Sequence, residues 1–106
     1  MENNEVVIIQ NFDGTGEISF YNVTFIFEGG CFDKKLGDCV TTAYALANTF
    51  ACSDSEVMIV PTADTLNAIL SAASGDRCKN LVKSVEYRCA QSTGFYATVR
   101  INTANY

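Results

Sequence analysis

The chain has 106 residues, a net charge of −5, five cysteines and no histidine. Without histidine there is no Ser–His or Cys–His pair, no imidazole metal ligand and no imidazole acid or base near neutral pH. Seven scattered basic residues against twelve carboxylates argue against nucleic-acid binding, which draws on clustered Lys and Arg.

The first residues, Met1 to Glu5, are polar and acidic. They lack the basic start and apolar stretch of a signal peptide, and nowhere is there an apolar run of membrane-spanning length. The expectation is a soluble cytoplasmic protein, in the host cytoplasm if virus-encoded, with a virion as the other setting. No membrane partner is expected.

Val6, Val7, Ile8 and Ile9 form a β-branched run that predicts a first strand over Glu5 to Gln10, apolar enough to need cover on both faces. Asp13-Gly14 and Gly16 supply turn chemistry, so the opening reads as a β-hairpin. Glu17 to Glu28 reads as one long strand or two joined ones. Ile18 and Phe20 keep one parity there, and Val23, Phe25 and Phe27 the other. A bulge near Tyr21-Asn22, or burial on both faces, would reconcile them. Gly29-Gly30 ends the strand.

Asp38 is the expected N-cap of a first helix, with Asp33 to Leu36 read as a preceding turn of helix and Gly37 as the break between them. Val40, Ala43, Tyr44, Ala47, Phe50 and Ala51 recur at helical spacing. Cys52 to Ser55 reads as a polar connection and Glu56 to Val60 as a short strand stopped by Pro61. Thr62 is placed to cap a second helix through Leu66, Ile69, Leu70 and Ala73, with Gly75 closing it. A charged loop, Asp76 to Asn80, follows. In the C-terminal hairpin, Val85, Tyr87 and Cys89 alternate with Ser84, Glu86, Arg88 and Ala90. Across a turn at Gln91 to Gly94, Phe95, Ala97, Val99 and Ile101 alternate with Tyr96, Thr98, Arg100 and Asn102. Such one-sided alternation suits antiparallel strands with one wet face. Glu86 and Arg88 share the wet face of one strand and Arg100 that of its partner, where a cross-strand ion pair of Glu86 with Arg100 is worth little.

The predicted order is β-β-α-β-α-β-β. It implies a single α+β domain over 1–106: a mainly antiparallel sheet of four to five strands with two helices on one face. Asn22-Val23-Thr24-Phe25 and Phe32-Asp33-Lys34-Lys35-Leu36 resemble, over those residues alone, the ubiquitin-like domains that open the coronavirus replicase protein.

Candidate chemistry is sparse. The cysteines are Cys31, Cys39, Cys52, Cys78 and Cys89, with no Cys-x-x-Cys spacing, which excludes zinc-ribbon and thioredoxin-like motifs. In a reducing compartment they act as small buried hydrophobes. Cys31 is the candidate reactive thiol, because it follows Gly29-Gly30 near a helix start. Asp13 to Glu17 lacks the ligand spacing of a calcium loop. Gly14-Thr15-Gly16 lacks the lysine of a phosphate loop. No catalytic residue, metal site or cofactor is assigned. Asn22-Val23-Thr24 matches the glycosylation pattern, read here as chance within a strand.

Tyr21 and Tyr96 fall on the parity expected to face outward, and tyrosine is favoured in contact patches. Arg88 and Arg100 share the wet face. These four are the candidate binding residues. The leading expectation is a non-catalytic protein-binding or assembly protein that meets a protein partner or its own copy. A phage or virus origin is expected for it, either as an inhibitor of a host protein or as a virion component. The alternative is a small thiol- or carboxylate-dependent enzyme or ligand-binding domain.

Overall fold

The computed structural model describes residues 6–20, 22–52, 58–74, 80–90 and 94–105. Among them, β1 (Val6–Gln10), β2 (Gly16–Phe20) and β3 (Val23–Glu28) precede helix α1 (Leu36–Ala47). Then come β4 (Ala51–Cys52), β5 (Met58–Ile59), helix α2 (Ala63–Ser74), β6 (Val82–Ala90) and β7 (Gly94–Asn102). A 3-10 turn, Thr103–Asn105, closes the chain. The protein is α+β: a five-stranded sheet of order β1-β2-β3-β7-β6 carries both helices on one face. Its pairs are antiparallel except the central β3–β7, which is parallel.

The expected long strand is a second hairpin. Phe20 stands opposite Val23 and Ile18 opposite Phe25. The chain reverses between Phe20 and Val23, so the two parities of Ile18/Phe20 and Val23/Phe25/Phe27 fall on one face. Reversal replaces the bulge expected there. All five side chains are buried, each worth roughly 1.5–3 kcal/mol on burial. Ala97, Val99 and Ile101 of β7 join them, as the alternation predicts. Leu66 and Leu70 of α2, and Cys39, Ala43 and Leu46 of α1, close the core from the other side.

The first helix begins earlier than expected. Lys35 precedes it without a side-chain cap, Gly37 lies within its first turn, and Asp38 complements the helix dipole there. The turn expected over Asp33 to Leu36 runs straight into it: the Lys35 N–H donates to the Cys31 carbonyl at 3.0 Å and Cys39 N–H to the Lys35 carbonyl at 2.9 Å, so no break falls at Gly37. Tyr44 is half exposed rather than buried, its ring 4.6 Å from that of Phe20. The Thr62 cap is present: its Oγ1 accepts the Thr65 N–H at 3.2 Å.

The strand expected over Glu56 to Val60 pairs only with β4, as a separate two-stranded ribbon. With the additional strands β3 and β4, the order is β-β-β-α-β-β-α-β-β. Tyr21, most of the expected polar connection after Cys52, Gly75, the loop up to Lys79 and the turn at 91–93 lie outside the described residues.

Candidate functional site

Glycine and an aspartate build the turn that presents β1. Gly14 has φ +86, which only glycine adopts without strain. Its carbonyl accepts the Phe32 N–H at 2.8 Å, tying this turn to the β3–α1 connection. The Asp13 carboxylate accepts from the Thr15 N–H at 3.1 Å and the Thr15 hydroxyl at 2.6 Å. Those bonds hold its pKa below the ordinary carboxylate value. Asn11 Nδ2 donates to the same hydroxyl at 2.9 Å. The turn is thus a closed polar network, and β1 leaves it in fixed register with β2, from Gln10–Gly16 to Val6–Phe20.

That register places β1 at one edge of the sheet with little cover. Val7 and Ile9 share the open face with Ser19 and Glu17; Ile8 shares the helix face with Ile18. Yet α1 packs over β2 and β3 and α2 over β6, so β1 extends past the helix layer. Val7, Ile8 and Ile9 remain 48 %, 42 % and 48 % exposed, and Phe12 beyond them is fully exposed. The Asn11 N–H bonds to the Thr15 carbonyl at 2.9 Å. In an antiparallel ladder the inward-bonding residues alternate. Ile9 and Val7 therefore bond inward to β2, while the N–H and C=O groups of Val6, Ile8 and Gln10 point to the outer edge.

The opposite edge is managed differently. Asn67 of α2 presents its side-chain amide to β6: Val82 N–H donates to Oδ1 at 2.8 Å, and Nδ2 donates to the Val82 carbonyl at 3.0 Å. The amide occupies the place of a neighbouring strand. A register shift between Val82 and Ser84 bends this edge, and Lys83, Glu86 and Arg88 are exposed along it. Bulges, charges and helix cover are the devices that keep a sheet edge from pairing. On β1 the register is unbroken and no residue from Val6 to Gln10 is charged. Sequence reasoning found the apolar character of β1 but placed the candidate contact residues elsewhere.

Those candidates are dispersed. Arg88 and Tyr96 are cross-strand neighbours, both exposed on the open face. Arg100 lies four residues along β7 from Tyr96, about 13 Å at strand rise. It is engaged by Glu28 of β3 at 3.1 Å, and Lys83 reaches the other Glu28 oxygen at 2.9 Å. Glu28 therefore takes the ion pair that was expected to involve Glu86: Ile26 of β3, two residues away, stands opposite Arg100 in the parallel register, whereas Ser84, not Glu86, stands opposite it on β6. The Lys83 hydrogen bond first, then that of Arg100, holds the Glu28 pKa below its ordinary value, against a desolvation effect of opposite sign. Tyr21 lies outside the described residues.

Cys31 is a half-buried thiol at the β3–α1 corner. Its N–H donates to the Thr103 hydroxyl at 3.3 Å, and that hydroxyl donates to the Glu28 carbonyl at 2.5 Å. The contacts at this corner are backbone closures that tie the last turn of the chain to β3. Among the described residues no group of three or more Cys, Asp or Glu side chains could hold a metal ion. No helix among them is long and apolar enough to cross a membrane.

Compared with protein-family models, curated proteins and solved structures, the chain matches none.

Proposed function

We propose that this chain is a non-catalytic protein-binding or assembly protein and that its working surface is the β1 edge of the sheet. The observation that carries this reading is the asymmetry of the two edges. One is bent, charged and plugged by Asn67; the other presents three exposed β-branched residues and a row of outward backbone groups. An extended segment added to such an edge gains main-chain hydrogen bonds and side-chain contacts on both faces. Either form of the role, inhibitor of a host protein or virion component, uses the same edge. They differ in stoichiometry, since only a component self-assembles in many copies.

Ile8→Pro tests the site. The Ile8 N–H points outward, so proline removes an edge donor and leaves the β1–β2 ladder intact. A tagged chain should retain its partner, including untagged copies of itself, and lose it with Ile8→Pro. Cys31→Ser should change nothing. A folded Cys31→Ser chain that loses its biological activity, or a partner held equally by Ile8→Pro, overturns the reading.

A further inference from the structure

We infer that the occupant of the β1 edge is a second copy of this chain, paired antiparallel through a two-fold axis at Ile8, so that two five-stranded sheets join as one; this rests on the edge reading above. The first argument is self-complementarity. Ile8 directs both backbone groups outward, so about an axis at Ile8 each copy gives one N–H and accepts one from the other. Val7 then faces the copy's Ile9, and Val6 its Gln10. Every pair on the open face is apolar against apolar, which is the favourable case for cross-strand neighbours.

Charge is the second argument. The chain carries −5 overall, yet Val6–Gln10 carries none. The nearest described carboxylate on the open face is Glu17, opposite Ile9 on β2. In the dimer the two Glu17 side chains are separated by three strand spacings, about 14 Å or more, beyond the Debye length of about 8 Å at physiological salt. Among the described residues, no carboxylate therefore repels its copy across the seam. An uncharged edge also offers nothing to select a foreign acidic or basic strand.

Closure is the third argument. An isologous contact uses the same patch twice and stops. Because Asn67, the bulge and the charges guard the β6 edge, pairing at β1 uses up the open edge of the five-stranded sheet, and the assembly ends at two copies. A strand of five residues gives a contact at the small end of the interface range, so a weak, concentration-dependent association is expected.

Sedimentation equilibrium in reductant, from about 1 to 300 µM, reads the mass against the 11.5 kDa chain. The expected result is a monomer–dimer equilibrium in the native chain. Ile8→Pro should be monomeric throughout with an unchanged far-UV spectrum. Ile8→Lys, which keeps the donor but sets two charges on the axis, should weaken association at least about tenfold. Ile8→Cys should form a disulfide between the two substituted positions on mild oxidation, since paired Cα atoms about 5.5 Å apart are within reach. Val7→Cys should not, because position 7 faces position 9. A native chain that stays monomeric at 300 µM overturns the two-fold pairing; the edge reading is then decided separately by whether Ile8→Pro releases a foreign partner. A dimer that persists in both Ile8→Pro and Ile8→Lys, one that exists only without reductant, or a mass that grows beyond two copies also overturns it.

Discussion

Asn67 holds Val82 by both of its backbone groups, at 2.8 and 3.0 Å, and so ends the sheet at β6 with a side chain instead of a strand. The bonds also anchor α2 to the sheet, across fifteen residues of chain. Helix position and edge protection thus depend on one amide.

Asn67→Ala removes that amide and leaves a donor and an acceptor of Val82 without it. The loss should cost about 1–3 kcal/mol, read by urea denaturation. It should also speed amide exchange at Val82 and reveal a second, salt-resistant mode of association at high concentration. An unchanged midpoint together with an unchanged exchange rate would contradict the capping role.

Gly16 lies where β2 passes the Phe32 ring. A Cβ there would overlap two ring carbons and sit 2.7 Å from the Ile9 carbonyl oxygen. Phe32 is fully buried and cannot swing away. Gly16→Ala should destabilise by about 1–3 kcal/mol through overpacking, measured by thermal unfolding. Because the second obstruction belongs to β1, the same variant should also weaken any contact made through that edge.

Thr103 is fully buried, and its hydroxyl bridges the Glu28 carbonyl and the Cys31 N–H. Thr103→Val keeps the shape and deletes both bonds. A loss of about 1–3 kcal/mol is expected, with most of it recovered by Thr103→Ser. If valine and serine behave alike in denaturation, packing rather than the hydroxyl holds this corner.

Glu28 has a pKa lowered from 4.5 in the folded protein, first by the Lys83 hydrogen bond and then by Arg100. A lowered folded value stabilises above the unfolded pKa and is lost as pH falls through the folded one. The partners are 54 % and 40 % exposed, so the contribution is under about 1 kcal/mol and shrinks in salt. Native and Glu28→Gln stabilities should differ slightly at neutral pH and converge well below pH 4.5. A difference that grows on acidification would reverse the assigned sign.

The α+β class, the β1–β2 hairpin, the Thr62 cap and the inward set Ala97, Val99 and Ile101 are legible in the sequence because each rests on local periodicity or turn chemistry. The reversal between Phe20 and Val23 was legible only as a conflict of phase between those two residues. Two strands and one bulged strand give the same pattern until their pairing is known. Tyr44 has helical spacing with the core residues, yet it is half exposed, with one side of its ring against Phe20.

By itself the sequence determined composition-level chemistry: no imidazole, few charges, an apolar first strand and a first helix with small inward residues at Ala43 and Ala47. Tertiary structure alone decided which strands are edges, since edge position depends on pairings between residues as distant as Val23 and Ala97. It also decided that Asn67 meets Val82 and that Glu28 gathers Lys83 and Arg100. An apolar strand in the middle of a sheet is core; the same five residues at an open edge are a contact surface.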